Sequence, residues 1–351
     1  MTGRSVIKKV KRFSTDPYYA KMAACIPDLE ETRNRSMLYN LIDRVFPDKL
    51  DIPSDTFLIT ASTKAGIDKI IDSYKSNKSC SNENLLPFIG DYIIDKLSLK
   101  GGSFHISAAC ASSTVAVSRG ASLIESGRCD SVLICCFDLV TEFVFSGFCS
   151  LKAMSPFPCT PFDKNRKGMS IGEGAAFLLL MKSEKARELN KKAMGILSGW
   201  AVTNDATHIT RPDQDGYGLS LAIEKSLSKA GIPAGSVSAI CAHGTGTLYN
   251  DSMELASYKK VFGERKMPVF SVKGAIGHTL GAAGGIETAV SLKCLLNNTI
   301  PPTTGFSVPE ERAKGLVSAD IIEGDISYIL STNSGFNGVN GAIIIKKGDA
   351  F

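Results

Sequence analysis

Histidine is scarce in this chain. Its 351 residues include only four, His105, His208, His243 and His278, and a single tryptophan. Ten cysteines are present, yet no C-x-x-C pair occurs, and Cys135 and Cys136 sit side by side inside an apolar run. That spacing excludes a disulfide framework and a zinc site, and predicts small, reduced, mostly buried cysteines. A long uncharged apolar run is also missing: the longest apolar stretch, SVLICCFDLVTEFVFSGF, carries Asp138 and Glu142. No membrane insertion is expected from it. The basic opening MTGRSVIKKVKRFST lacks the apolar core of a signal peptide, so the expected location is cytoplasmic. The net charge of +5 comes without a dense basic stripe. That argues against a nucleic-acid partner and suits an acidic protein surface. No low-complexity segment appears.

What is present is alternation. Strand-like runs occur at 56–60, 103–107, 131–136, 175–181, 237–242, 268–272, 328–333 and 341–346. Helical periodicity fits 63–75, 83–97, 112–126, 219–230, 251–261 and 284–296. Short apolar strands interleaved with longer helices predict an α/β protein with helices packed on sheets. The stretch 137–170, with Pro156, Pro158 and Pro161 close together, reads as an excursion from a sheet rather than a linker. A weak repeat is visible. FHISAACASSTVAVSRGASLIESG and VFSVKGAIGHTLGAAGGIETAVSLKCLLNN both run strand, small-residue turn, helix, which suggests two similar halves. The expected division is 1–190 and 191–351.

One cysteine stands apart from the rest. In HISAACASST, Cys110 lies where an apolar run gives way to a helical pattern, among Ala108, Ala109, Ala111, Ser112 and Ser113. A thiol at the first turn of a helix meets the positive end of the dipole, which predicts a lowered pKa and a nucleophile open to close approach. His243 lies in CAHGTGTLYND and His278 in SVKGAIGHTLGAAGG, each after a predicted strand. Glycines permit the turns that a crowded site requires. A cysteine–histidine–histidine site is therefore the expectation, with no metal, because zinc would need further ligands.

These segments and their order are similar to those of the β-ketoacyl-acyl-carrier-protein synthases, the elongating condensing enzymes with the thiolase fold. The resemblance covers Thr56 to Lys347. It rests on SAACASS, GRCDSVLICCFD, GFCSLKAMSP, PFDKNRKGMSIGEGAAFLLL, NDATHITRP, AHGTGTLYND, VKGAIGHTLGAAGGIE and NSGFNGVNGA. It implies a layered α-β-α-β-α arrangement of two halves. Cys110 would accept an acyl group, and His243 and His278 would hold a malonyl thioester. Lys273, buried with Glu287, would organise the histidines. The backbone N–H groups of Cys110 and Phe336 would form an oxyanion hole. Thr245 and Thr247 would bind a phosphopantetheine arm, with Thr210 bordering the malonyl pocket, and Gly335, Phe336, Asn337 and Gly338 would form a gate. His208 would be structural.

The implied reaction is decarboxylative Claisen condensation, in fatty-acid or polyketide synthesis. The implied partners are acyl-carrier protein, which delivers the phosphopantetheine, and a second subunit in a homodimer or heterodimer. No tightly bound cofactor is expected. Three departures qualify the resemblance: the family's opening glycine-rich strand is absent or remodelled, NSGFNGVN is one residue short with Asn337 in place of a glycine, and Leu248 stands where the family has proline. Such departures keep open an alternative, the chain-length-setting partner of a condensing heterodimer, although those subunits commonly lack the nucleophile.

Overall fold

The computed structural model describes residues 3–29, 35–46, 50–77, 79 and 81–348. Its first sheet contains β1 (Phe57–Ala61), β2 (Ser103–Ile106), β3 (Ser131–Asp138) and β4 (Gly174–Met181), in the spatial order β2-β1-β3-β4. Strand β1 runs parallel to β2 and β3, while β4 is antiparallel to β3. The second sheet contains β5 (Gly195–Asn204), β6 (Ala239–Cys241), β7 (Val269–Phe270), β8 (Tyr328–Gly335) and β9 (Val339–Lys347), ordered β5-β9-β8-β6-β7. Here β6 is parallel to β7 and β8, and β9 is antiparallel to β8 and β5.

Alternate residues of each strand serve different cores, as the two-residue strand period requires. Ile59, Val132 and Ile134 of the first sheet meet Ala239, Cys241, Ile329, Ile343 and Ile345 of the second in one central core. Between the sheets lie α1 (Ser112–Glu125) and α2 (Ala283–Asn297), packed on each other. They can approach closely because a Cβ on Gly284 would fall 2.0 Å from Thr114 Oγ1. Leu58, Leu133 and Phe137 point to the other face of the first sheet, under Leu38, Ile42, Ile89 and Ile93 of two outer helices. Ile240, Leu330 and Ile344 do the same in the second sheet, under Leu219, Ile223, Met253 and Leu255. The result is the five-layer α-β-α-β-α arrangement with two similar halves that the sequence implied.

Two expectations need revision. Strand β5 was not foreseen from the sequence, because GILSGWAVTN mixes Ser198, Gly199 and Thr203 with apolar residues. Its half-exposed edge position tolerates that mixture. The excursion 137–170 also contains a helix, Glu142–Ser150, whose first turn is capped by Thr141 Oγ1 accepting from Val144 N at 3.3 Å.

The remodelled beginning of the chain is visible as well. Among the described residues the first sheet has no counterpart of β5. Residues 3–29 instead carry a short ribbon, Lys8–Lys9 against Met22–Ala23. Arg12 reaches both oxygens of Glu173, at 2.6 and 2.8 Å, tying this segment down next to β4.

Candidate active site

The nucleophile candidate sits in a tight bend between β2 and α1. Ala109 adopts a positive φ of 47°, uncommon for a residue with a side chain. The bend is closed by Ala111 N donating to Ala108 O at 3.1 Å. Ser112 Oγ accepts from Ala108 N at 2.9 Å and donates to Ala109 O at 2.6 Å. Cys110 therefore stands just before the helix, whose N-cap is Ala111, and not in its first turn. The expected lowering of the thiol pKa is not found. Burial pushes the thiol up to about 12, and the nearby Lys273 charge only partly counters it. The helix end loses to desolvation because the sulfur has left water almost completely, at 8% exposure. The resting group is a thiol. Gly335 presses against this bend: a Cβ there would lie 3.1 Å from Cys110 N and 3.3 Å from Ala108 O.

His243 follows β6 and is fixed from both ends. Its backbone N–H donates to Glu254 Oε1 at 2.7 Å, and that of Gly244 to Glu254 Oε2 at 2.6 Å. Its ring Nδ1 faces Asn333 Nδ2 at 3.1 Å and Lys273 Nζ at 3.3 Å. Both neighbours are donors, so Nδ1 accepts and the ring proton is assigned to Nε2. The Asn333 orientation is consistent with this, since its Nδ2 also donates to Glu287 Oε2 at 2.7 Å while its Oδ1 accepts from Thr114 Oγ1. Lys273 and Glu287 form an ion pair with both side chains 1% exposed. Burial pushes the Glu287 carboxyl up, and Lys273 and Asn333 pull it back.

His278 is held differently. Its backbone N–H donates to Ser170 O at 2.7 Å and its carbonyl accepts from Gly172 N at 2.9 Å. Neither ring nitrogen has a hydrogen-bond partner among the described residues, although the side chain is buried. The two imidazoles meet edge to face, with centroids 5.0 Å apart and planes at 88°. Burial first, and the Lys273 charge second, drive both imidazole pKa values well below 6.5. Both rings are neutral donors. An unpartnered buried imidazole is costly unless something else arrives to bond it.

Thr245 is buried, its hydroxyl 2.9 Å from that of Thr247, which occupies the N-cap position of the helix Leu248–Phe262 without making a side-chain capping bond. Leu248 is the first residue of that helix and is exposed, a position where proline and leucine are both acceptable. In the segment 335–338, expected as a gate, Asn337 has φ 64° and Gly338 φ 73°, so an asparagine takes a left-handed position that it tolerates better than most residues. Phe336 rests on Phe148, with ring centroids 5.9 Å apart. Asn337 N donates to Ile209 O at 2.6 Å, which ties this segment to the loop carrying Thr210. Thr210 is exposed, and its backbone N–H donates to His208 Nδ1 at 3.1 Å.

Three supporting residues escaped the sequence reading. Asn333 joins both halves, yet its partner Thr114 is 219 residues away in sequence. Glu254 grips the His243 turn from one helical stretch downstream. Asp138 accepts from Gly281 N at 2.6 Å, three residues after His278. All three lie in or beside segments whose order pointed to the site. Their roles need the partners that folding brings. Among the described residues no group of three or more His, Cys, Asp or Glu side chains is placed to hold a metal ion. No helix among them is long and apolar enough to cross a membrane.

Family models for the N-terminal and C-terminal domains of β-ketoacyl synthase match residues 73–186 and 194–307. The chain belongs to the β-ketoacyl synthase family. The 3-oxoacyl-[acyl-carrier-protein] synthase 2 of Coxiella burnetii is 33% identical over 262 residues, a match spanning 72% of this chain and 63% of that protein. The protein of the same name from Staphylococcus aureus is 28% identical over 386 residues, covering 100% of this chain and 93% of the relative. Among solved structures, the ishigamide ketosynthase/chain length factor superposes with a TM-score of 0.88 at 25% identity, over 99% of this chain and 93% of that one. A β-ketoacyl synthase from Burkholderia phymatum, at 24% identity and a TM-score of 0.86, shares the fold over 99% of this chain and 93% of that chain.

Proposed function

We propose that this β-ketoacyl synthase condenses a Cys110-bound acyl group with malonyl-acyl-carrier protein, releasing CO₂ and giving 3-oxoacyl-acyl-carrier protein. The observation that carries this reading is the edge-to-face pair of buried imidazoles, one with neither ring nitrogen partnered among the described residues, beside a Lys273 charge that also acts on the buried Cys110 thiol. Residues 1–190 bring the nucleophile and residues 191–351 bring both histidines.

The chemistry follows from the groups. Cys110 attacks the thioester of an acyl-carrier protein; the C–S bond to pantetheine breaks, and the cysteine proton leaves with the departing thiol. His243 and His278 then donate N–H groups to the thioester carbonyl of the malonyl group. Cleavage of the C–CO₂ bond places two electrons on the α-carbon and the carbonyl oxygen as an enolate. Donors aimed at that oxygen in a dry site are worth far more than in water. The α-carbon attacks the Cys110 thioester, and the tetrahedral oxyanion is held by the backbone N–H groups of Cys110 and Phe336. Collapse expels the cysteine sulfur, which regains a proton. Lys273 and Glu287 keep His243 neutral and oriented. The hydroxyls of Thr245 and Thr247 bind the phosphopantetheine arm, Thr210 borders the malonyl pocket, and Gly335–Gly338 open to admit the acyl group. Acyl-carrier protein supplies both arms, and the enzyme works as a dimer with itself or a related subunit.

Purified protein incubated with malonyl-carrier protein and a panel of acyl-carrier-protein primers tests the reading, followed by mass spectrometry of both carriers and of Cys110. Acylation of Cys110 and a 3-oxoacyl product two carbons longer are expected, and Cys110→Ala gives neither. A folded protein that Cys110 acylation never marks is instead the partner subunit of a condensing heterodimer.

A further inference from the structure

The two histidines differ in what orients them, and this leaves a question about His278. Its ring nitrogens bond no group among the described residues, so the hydrogen bonds that place it are those of its backbone. Two backbone bonds, to Ser170 and from Gly172, hold the residue itself. The turn that follows passes through Leu280, which has a positive φ of 54°, and reaches Gly281. An uncommon backbone state of this kind persists where surrounding contacts over-determine it. The contact at Gly281 is the carboxylate of Asp138.

Asp138 ends β3 and is buried. Its Oδ2 accepts from Gly281 N at 2.6 Å, Thr63 N at 3.0 Å and Thr63 Oγ1 at 2.9 Å. Its Oδ1 accepts from Ser62 Oγ at 2.8 Å. Ser62 Oγ already accepts from Ala65 N at 2.9 Å, so its own proton points to the carboxylate. Every group facing Asp138 in these bonds is a donor, which favours the ionised form although burial opposes it. Gly281 must be glycine for this contact: a Cβ would fall 2.7 Å from Asp138 Oδ2 and 2.9 Å from Thr63 N. One buried carboxylate thus staples the ends of two parallel strands of the first sheet to the turn behind His278 in the second half. Its charge also acts on the Cys110 sulfur, disfavouring the thiolate.

We propose that Asp138 is a positioning residue for the condensation: it fixes the His278 turn from the opposite half. The proposal rests on the condensing reading for its catalytic part, but the placement of the His278 ring does not.

Two readouts in Asp138→Asn, Asp138→Glu and Gly281→Ala test it. The first is CO₂ release from malonyl-carrier protein. Asp138→Asn is expected to slow it by about tenfold or more, the kind of loss a small misplacement of a catalytic group produces, with Asp138→Glu recovering part of the loss. The second is the ring ¹⁵N signal of His278 in NMR spectra of the protein without substrate, which reports where the turn places the imidazole. It should shift in Asp138→Asn and Gly281→Ala and move back toward wild type in Asp138→Glu. Should Asp138→Asn fail to fold, Asp138→Glu and Gly281→Ala still carry the comparison. Wild-type CO₂ release in a folded Gly281→Ala, or an unmoved His278 signal in a folded Asp138→Asn, overturns the assignment. If wild type itself releases no CO₂, the condensing reading fails, while the ring signals still decide whether Asp138 places His278.

Discussion

The turn that carries His243 and the turn that carries His278 deliver two imidazoles to one place by opposite means. His243 is oriented through its ring, by Asn333 and Lys273, and its backbone is gripped by Glu254. His278 is hydrogen-bonded only through its backbone, and its ring nitrogens bond nothing among the described residues. The difference separates two tasks. A ring with one nitrogen bonded to the protein presents the other in a fixed direction. A ring with no protein bond is stabilised only when a ligand supplies the missing partner, so its cost is recovered on binding.

Removing the nucleophile isolates the histidines. Cys110→Ala is expected to abolish acylation and condensation altogether while leaving the imidazole pair intact, so that CO₂ release from malonyl-carrier protein persists. A variant that loses CO₂ release together with acylation would show that the two turns do not act apart from the cysteine.

Truncating each imidazole sharpens the contrast itself. His278→Ala and His243→Ala should each slow CO₂ release by about 10²–10³, the usual loss for one oxyanion donor. Their stabilities should differ. Loss of the His243 ring leaves Asn333 and Lys273 donors short of a buried acceptor, costing roughly 1–3 kcal/mol. Loss of the His278 ring strands no partner, so its thermal midpoint should lie nearer to wild type, and melting curves of both variants decide it. Equal destabilisation would erase the distinction drawn above.

The ion pair behind His243 gives a stability effect as well. Glu287→Gln leaves the Lys273 charge buried without its counter-ion and should destabilise by about 3–5 kcal/mol, as broken buried pairs do. A denaturant midpoint unchanged from wild type would place Lys273 in contact with water after all.

The smallest effect concerns pH. Both imidazole pKa values are held below 6.5 in the folded protein. Each ring therefore stays a neutral donor as pH falls through 6.5, and the rate of CO₂ release should show no histidine inflection there. The unfolded chain does take up those protons, so this contribution to stability is complete above 6.5 and is lost as pH falls from 6.5 through the depressed values. A rate profile that breaks near 6.5 would mean that at least one ring titrates as if in water.

Much of the site was legible because its chemistry is carried by short segments. Cys110 in its run of small residues, and two of only four histidines in glycine-rich turns, could be picked out one by one. The central strands were legible too, since β3 and β9 are buried apolar runs. Strand β5 was not, because an edge strand needs only partial burial and its pattern is diluted by serine, glycine and threonine. The Cys110 ionisation was misjudged for a related reason. Sequence places a thiol near a helix start, but the depth of burial that outweighs the helix end depends on what packs over it. Asn333, Glu254 and Asp138 were invisible as supports, because a polar residue inside a strand or helix carries no sign of its distant partner.

The sequence by itself determined the family, most of the strands and helices, and which cysteine and which two imidazoles are the candidates for the site, because each of these is written in local residue order and spacing. Tertiary structure alone decided which imidazole is held by its ring and which by its backbone, how the thiol ionises, and which buried carboxylates brace the turns. Those properties come from burial and from hydrogen bonds between residues far apart in the chain, and neither exists until the two sheets close on α1 and α2.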